Sequence, residues 1–181
     1  MEKYIALLRG INVSGSKSIA MNDLKLSMAE LNFIHVETYI QSGNLLFEYA
    51  PSNPQDLAAL INIKIQKTFG FHVPVIVKTA QEWRVVLDHN PMIPLRNEAI
   101  DKLHVTFFST EPTAALQGRL KGIDSGSDEF ILAGNMAYLY CPNGYGRTKL
   151  NNNFFEQKLN VSATTRNWKT VVELAKMLGT E

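Results

Sequence analysis

The stretch ETYIQSGNLLFEYAP, residues 37–51, returns later in the chain as DEFILAGNMAYLYCP, residues 128–142, with no gap in the match. Five aligned positions are identical, among them a Gly-Asn pair that begins at Gly43 in the first copy and at Gly134 in the second. A Gly-Asn pair between two apolar runs predicts a β-hairpin, with a strand on each side of a tight turn. The repeat therefore predicts two halves built on one scaffold.

The elements around the first hairpin have the order of a split βαβ unit. They are, in order, a strand at residues 4–8, a helix over residues 21–31, the hairpin, a helix over residues 54–69 and a strand over residues 73–79. Asn22 or Asp23 is expected to cap the first helix. This β-α-β-β-α-β order predicts the ferredoxin-like fold, an antiparallel sheet backed by two helices.

The second half repeats most of this order. A Thr-x-x-Glu capping box, Thr79 to Glu82, predicts the helix that opens it. The elements that follow are a strand at residues 102–108, a helix around residues 114–121, the second hairpin, a helix around residues 153–159 and a last helix that Trp168 opens. No closing strand is visible, so the last helix is expected to take its place.

We therefore predict an α+β fold of two ferredoxin-like halves related by internal duplication, with an extra C-terminal helix. The domain boundary is expected at the capping box, between a first half of residues 1–79 and a second half of residues 80–181. With 181 residues and 45% hydrophobic content, the chain is long enough to bury a core in each half.

The charge balance and the cysteine content restrict the classes of function. Eighteen basic residues against seventeen acidic ones give a net charge of +1, so any attraction to phosphate has to be local. A strong general nucleic-acid binder, which carries a basic stripe, is disfavoured. Cys141 is the single cysteine, which excludes an internal disulfide. With no run that resembles a signal peptide or a membrane span, we expect a cytoplasmic protein without membrane attachment.

The predicted topology brings polar residues together at one edge of the first sheet. The first strand ends where the first hairpin turns, which places Arg9 and Asn12 beside Gln41 and Ser42. The first helix begins at the same edge, and its unpaired backbone N–H groups favour an anion. Lys17, in the polar loop SGSKS, is expected to add a cation, and the loop is expected to fold over a ligand.

The second hairpin serves as an internal control for this edge. The Gly-Asn pair recurs, which predicts that it serves turn geometry and requires positive φ angles. Gln41 and Ser42 align instead with the apolar Leu132 and Ala133, so polarity at the edge belongs to the first half alone. The alternative is structural: a carboxylate partner for Arg9, and side-chain hydrogen bonds within the turn.

Four ordered motifs resemble those of a known family. They are RGINV at Arg9, TYIQSGN at Thr38, GRTKLNN at Gly146 and TTRNWKTV at Thr164. Together they resemble the bacterial domain-of-unknown-function family DUF1697, over a match from Lys3 to Gly179. The resemblance implies two ferredoxin-like halves but no reaction and no cofactor. The motif positions that it marks are Arg9, Asn12, Gln41, Ser42, Gly43, Asn44, Arg147, Lys149, Thr165, Arg166, Asn167 and Trp168.

Two of these motifs carry further cations near the C-terminus. Arg147 and Lys149 follow two glycines and suit a phosphate or carboxylate. Thr164 or Thr165 is predicted to cap the last helix, which places Arg166 in its first turn. Because a cation there opposes the helix dipole, Arg166 calls for an anion nearby. A salt bridge that ties the last helix to the body is the alternative to a ligand.

Other signals point to no specific chemistry. The loop after the first strand is not a phosphate-binding P-loop, because Ser16 separates the glycine from Lys17. Phe47 and Tyr49 are expected to face the core rather than to stack bases, and no RNA-reading motif flanks them. The four histidines lack metal-ligand spacing, so no metal site is predicted, and Cys141 suits a packing role.

The sequence thus predicts that the protein binds an anionic small ligand, such as a nucleotide or a phosphorylated metabolite, at the edge of the first half. The predicted ligand-binding residues are Arg9, Asn12, Lys17, Gln41, Ser42, Arg147, Lys149 and Arg166. An enzyme of unknown reaction on such a ligand, or a protein-interaction or weak nucleic-acid module, stays open. The residues identify no cofactor, no catalytic base and no oligomeric state.

Overall fold

The structure is a computed structural model that describes residues 1–13, 15 and 17–179. The chain divides into two compact units, Met1–Val85 with Leu174–Glu181, and Val86–Glu173. Each unit contains a four-stranded antiparallel sheet with helices, so the predicted α+β class is confirmed. No helix among the described residues combines the length and the hydropathy that a membrane span needs.

The first unit is built around its first strand. Its elements are β1 (Glu2–Leu8), α1 (Met21–Ala29), β2 (Ile34–Tyr39), β3 (Asn44–Tyr49), α2 (Pro54–Phe69) and β4 (Val75–Thr79). The sheet order is β2-β3-β1-β4, and all neighbouring strands are antiparallel. As the apolar run predicts, β1 is a central strand, and its residues from Tyr4 to Leu8 are fully buried.

One face of this sheet packs against α1 and α2. Tyr4 and Leu8 of β1 belong to a buried apolar cluster with Leu24 and Met28 of α1. The same cluster takes Leu57, Ile61 and Ile65 from α2, at the spacing of one helix face. Burial of these side chains fixes α1 on the sheet, and therefore fixes its N-terminus beside the sheet edge.

The second unit repeats the strand order. After β4 the elements are α3 (Ala80–Asp88), α4 (Ile93–Arg96), a 3-10 helix (Asn97–Lys102), β5 (Leu103–Phe108), α5 (Ala114–Gln117) with a 3-10 turn (Gly118–Leu120), β6 (Glu129–Ala133), β7 (Met136–Tyr140), a 3-10 turn (Tyr145–Arg147), α6 (Asn152–Leu159), β8 (Ala163–Asn167) and α7 (Trp168–Leu178). The sheet order is β6-β7-β5-β8, which matches β2-β3-β1-β4 strand for strand.

The predicted capping box opens α3. The N–H of Glu82 donates to the Thr79 hydroxyl at 3.1 Å, and the N–H of Thr79 donates to the Glu82 carboxylate at 2.8 Å. The same carboxylate accepts a hydrogen bond from the buried ammonium of Lys78 at 3.3 Å. The prediction is confirmed in both of its reciprocal bonds.

The prediction that the second half lacks a closing strand is wrong. β8 pairs with β5 along its whole length. The sequence does not predict this strand, because ATTRN shows no apolar alternation and its two threonines resemble a helix cap. α7 begins only at Trp168, and Asn167 caps it by accepting a hydrogen bond from the N–H of Thr170 at 2.7 Å. Arg166 therefore lies on a strand and not in the first turn of a helix.

The second copy of the repeat forms the predicted hairpin. Ala133 pairs with Met136, so Gly134 and Asn135 make a two-residue turn. Gly134 has a φ of 57°, whereas Asn135 is not among the residues with positive φ. The glycine therefore supplies the one left-handed position that this turn uses.

The first copy forms a wider hairpin, so the predicted Gly-Asn turn is wrong there. β2 ends at Tyr39, which pairs with Asn44, and residues 40–43 turn the chain. The positive φ angles belong to Ile40 (50°) and Gly43 (79°), and not to Asn44. The side-chain amide of Asn44 is fully buried and donates to the Tyr39 carbonyl at 2.9 Å, which closes the wider turn.

Candidate functional site

The end of β1 meets the turn of the first hairpin, as the topology predicts. The N–H of Leu8 donates to the carbonyl of Gly43 at 2.8 Å. A Cβ at Gly43 would lie 2.7 Å from the Cβ of Leu8 and 3.0 Å from two side-chain atoms of Ile11. Glycine is needed here both for this close approach and for its φ of 79°. Gly134, its counterpart, would meet nothing within 4 Å.

Asn12 ties the following loop to the hairpin. Its Oδ1 accepts a hydrogen bond from the N–H of Ile19 at 2.8 Å, and its Nδ2 donates to the carbonyls of Ile19 (3.0 Å) and Gln41 (3.1 Å). Its backbone N–H donates to the Lys17 carbonyl at 3.2 Å. The predicted proximity of Asn12 and Gln41 is therefore present, and the Asn12 amide holds the loop and the turn in fixed positions.

A cleft of about 230 Å³ opens beside this amide. Its lining residues are Asn12, Ser18, Ile19, Ala20, Met21 and Gln41. Since α1 begins at Met21, the cleft lies against the first turn of this helix. The sequence predicted that the N-terminus of the first helix lies at this edge of the sheet, and in the structure it lies beside the cleft.

Helix α1 starts without a side-chain cap. Ala20 occupies the N-cap position, so the prediction that Asn22 or Asp23 caps this helix is wrong. The other described helices of eight or more residues all start on a side-chain acceptor: Asn53 for α2, Thr79 for α3, Asn151 for α6 and Asn167 for α7. The side chain of Ala20 offers no such acceptor to the first N–H groups of α1.

Two predicted cations lie near the loop that borders the cleft. The ammonium of Lys17 donates to the carbonyl of His72 at 2.8 Å, and the side chain is otherwise exposed. Arg9 directly follows β1, and its backbone N–H donates to the carbonyl of Pro74 at 3.0 Å. Ser14 and Ser16, which belong to the loop predicted to cover a ligand, lie outside the described residues.

The two polar residues of the first turn have different surroundings. Gln41 is exposed and lines the cleft. Ser42 is also exposed, and its hydroxyl accepts a hydrogen bond from the Asn44 amide at 3.2 Å. The hydroxyl therefore serves the turn, as the structural alternative expects, whereas Gln41 adds polarity to the cleft wall.

The remaining predicted site residues belong to the second unit. Arg147 and Lys149 are exposed on the segment between β7 and α6. Arg166 is buried on β8, where its guanidinium donates to the Thr164 hydroxyl and to the Thr165 carbonyl, both at 2.9 Å. Burial lowers the pKa of Arg166 to about 10, so the side chain stays charged at neutral pH.

A polar cluster in the second unit was not predicted from the sequence. The Thr165 hydroxyl donates to the side-chain Oδ1 of Asn152 at 2.7 Å and accepts from the Tyr145 hydroxyl at 2.9 Å. Because the single hydroxyl proton of Thr165 is donated to Asn152, the Thr106 hydroxyl, 2.8 Å away, must donate its proton to the Thr165 oxygen. His104 stacks on Tyr145 with ring centroids 5.0 Å apart. The pairing of β8 with β5 brings Thr165 to Thr106, and β8 is not evident from the sequence.

The described side chains offer little reactive chemistry. Cys141 is buried in the core of the second unit, and burial raises the pKa of its thiol to about 11, which keeps it protonated. This agrees with the packing role predicted for it. No group of three or more acidic, histidine or cysteine side chains is arranged for a metal ion within the described residues.

Known proteins match the chain in sequence family and in fold. A family model described as a protein of unknown function, DUF1697, matches residues 1–138, so the motifs at Gly146 and Thr164 lie beyond the match. Among solved structures, the conserved bacterial protein SP0830 from Streptococcus pneumoniae has a TM-score of 0.71 at 22% identity, over 98% of both chains. At that identity the likeness supports the fold alone. A search of the curated proteins gave no match.

Proposed function

This chain belongs to the DUF1697 family of proteins of unknown function, and we propose that it binds an anionic small ligand at the N-terminus of α1. The ligand class is a nucleotide or another phosphorylated metabolite, and its phosphate group enters the cleft. The observation that carries the proposal is the missing cap: an alanine stands where the other long helices have an oxygen acceptor.

An anion at this place would act as the absent cap. The first N–H groups of a helix need acceptors, and the helix dipole adds partial positive charge at the same end. A phosphate oxygen satisfies both requirements, as it does at other helix N-termini. The net charge of the chain is only +1, so the attraction has to come from this local arrangement.

Side chains around the cleft support the same ligand class. Asn12 keeps the loop and the turn at a fixed separation, so the cleft is formed before a ligand arrives. Gln41 offers a side-chain amide on the cleft wall. Lys17 and Arg9 supply positive charge on the segment between β1 and α1, which also contributes Asn12, Ser18 and Ile19 to the cleft lining.

The volume of the cleft limits what enters it. At about 230 Å³ it is smaller than typical ligand pockets, which measure about 300–1,000 Å³. One phosphate group fits, and the rest of the ligand lies outside the cleft. Arg147, Lys149 and Arg166 belong to the second unit and are not among the lining residues, so the proposed site rests on the first unit.

The test introduces a side-chain carboxylate at the N-cap of α1, where the phosphate group of the ligand is proposed to bind. Ala20→Asp supplies a carboxylate for the first N–H groups of α1, which should stabilise the apo protein by about 1 kcal/mol. The thermal shift caused by inorganic phosphate, nucleoside monophosphates and sugar phosphates should be present in the natural chain and lost in Ala20→Asp. Arg9→Ala should reduce it.

The matched control is Asn53→Asp on α2, whose N-terminus already has a cap. At constant ionic strength, this variant should keep the full thermal shift that the phosphate compounds cause in the natural chain. Unchanged shifts in both Ala20→Asp and Arg9→Ala would contradict the proposal, and so would the lack of any shift in the natural chain.

We also infer that the two units are ferredoxin-like repeats of one ancestral unit and that the protein works in the cytoplasm. The shared strand order and the aligned hairpin sequences support duplication, although the two hairpin turns differ in length. A single buried cysteine suits a reducing compartment. Localisation of a tagged chain in cell fractions tests the second inference.

A further inference from the structure

We propose that a second copy of this chain docks on the outer edge of β6, so that two sheets join through a two-fold axis at Ile131. β6 is the terminal strand of the second sheet and pairs with β7 on one side only, among the described residues. All five of its side chains are at least partly exposed. An edge strand of this kind carries backbone groups that another strand can pair with.

The register of the hairpin decides which backbone groups face outward. A two-residue turn closes with a hydrogen bond between Ala133 and Met136. Since bonded and non-bonded pairs alternate along antiparallel strands, Ile131 also bonds to β7. The N–H and C=O groups of Phe130 and Leu132 therefore point away from β7, toward the open edge.

The sequence of β6 is complementary to itself in the antiparallel sense. With Ile131 on the axis, Phe130 of one copy lies opposite Leu132 of the other, and these are the two residues with outward backbone groups. Each such pair exchanges both of its N–H···O bonds. Glu129 falls opposite Ala133, so no like charges meet, and its carboxylate is already paired with Arg96 at 2.6 Å.

A groove beside the strand gives the second copy a place to pack. It measures about 430 Å³, and Phe130, Leu132 and Leu120 are among its lining residues. The groove lies where α5 has only four residues, whereas its counterpart α1 has nine. Directly opposed residues lie on the same face of a sheet, so Phe130 of the second copy would lie beside Leu132 at the rim of this groove.

The corresponding edge of the first sheet is blocked. β2 has a register shift between Ile34 and Glu37, and His35 within it has a φ of 49°. Bulges of this kind protect edge strands from pairing. Ile40, which aligns with Ile131, lies in the turn beyond the end of β2. Of the two aligned edge strands, β2 and β6, β6 is the one with a regular, apolar edge.

Sedimentation equilibrium of the natural chain tests the proposal. One short strand pair and two small grooves make a modest interface, so we expect a dimer with a dissociation constant on the order of micromolar. Ile131→Lys places two positive charges at the axis and should weaken the dimer by about 100-fold. Ile131→Glu should do the same. An equimolar mixture of the two variants should recover dimerisation, because opposite charges then meet at the axis.

Ile40→Lys is the matched control, since Ile40 occupies the aligned position and is exposed to a similar extent, 50% against 37% for Ile131. It should leave the dimer unchanged, and circular dichroism should show that every variant is folded. A natural chain that is monomeric up to millimolar concentration overturns the proposal. A dimer that survives Ile131→Lys, or a mixture that fails to associate, overturns the two-fold register.

Discussion

The two hairpins of the repeat share fifteen aligned positions but turn the chain differently. In the first unit residues 40–43 make the turn, and in the second Gly134 and Asn135 suffice. Gln41 and Ser42 consequently lie in a turn, whereas the aligned Leu132 and Ala133 lie on β6. Aligned residues thus occupy different local structures, although the strands on either side keep the same order.

The wider first turn has a consequence for the site. It carries the Gln41 carbonyl to the Asn12 amide and leaves a cleft beside α1. The tighter second turn extends β6 by comparison and gives it a regular edge. One scaffold therefore yields a candidate small-molecule site in the first unit and a candidate protein interface in the second.

The largest effect that tests this comparison is expected at the aligned glycines. Gly43→Ala forces a Cβ to within 2.7 Å of the Leu8 Cβ, at a φ of 79°. Left-handed strain and overpacking together should destabilise the protein by about 3 kcal/mol. Gly134→Ala meets no neighbour within 4 Å and should cost about 1 kcal/mol, from the backbone conformation alone. Urea unfolding measures both values, and equal losses would show that the two turns are equivalent.

A smaller difference is expected at the aligned asparagines. Asn44 is fully buried, and its amide donates to the Tyr39 carbonyl at 2.9 Å. Asn44→Ala leaves that carbonyl without its donor and should cost about 1–2 kcal/mol. Asn135 is half-exposed in the two-residue turn, so Asn135→Ala should stay within about 0.5 kcal/mol of the natural chain. The comparison fails if Asn135→Ala is the more damaging change in thermal unfolding.

The fold could be predicted largely because apolar periodicity and caps are local signals. The buried run from Tyr4 to Leu8 and the Thr79–Glu82 capping box both follow directly from neighbouring residues. β8 could not be predicted in this way, because its threonines gain their place from pairing with β5 and from the hydrogen bond between Thr165 and Thr106. Threonine favours strands, but so short a segment without apolar alternation is defined by its tertiary pairing.

The proximity of Asn12 to Gln41 was predicted from the sequence, and the hydrogen bonds of the Asn12 amide were not. Strand order alone brings Asn12 to Gln41, so that proximity followed from topology. The bonds that commit the Asn12 amide to Ile19 and Gln41 depend on a φ of 55°, which the sequence does not reveal. Ala20 has no polar group that would mark it in the sequence, yet its place at the N-cap leaves α1 without a side-chain cap.

The smallest effect concerns the response of the two units to acid. His104 on β5 corresponds in register to Lys3 on β1, since Val105 and Tyr4 oppose the aligned Tyr138 and Phe47. Burial lowers the pKa of His104 from 6.5, and the hydrogen bond to the Lys102 carbonyl and the charge of Asp101 oppose this only in part. Lys3, at the corresponding position of the first sheet, is exposed, whereas His104 is buried.

The lowered pKa of His104 determines how stability changes with pH. Because the folded pKa of His104 lies below the unfolded one, the unfolded chain binds the proton more readily as the pH falls. The stability that neutral His104 contributes is present above about pH 6.5 and is lost as the pH falls from there toward the lowered pKa. His104→Gln should therefore flatten the loss of unfolding free energy between pH 7 and pH 5, whereas Lys3→Gln should leave its slope unchanged. If urea titrations show that the unfolding free energy of both variants falls with pH as steeply as that of the natural chain, the acid sensitivity does not originate in the second sheet.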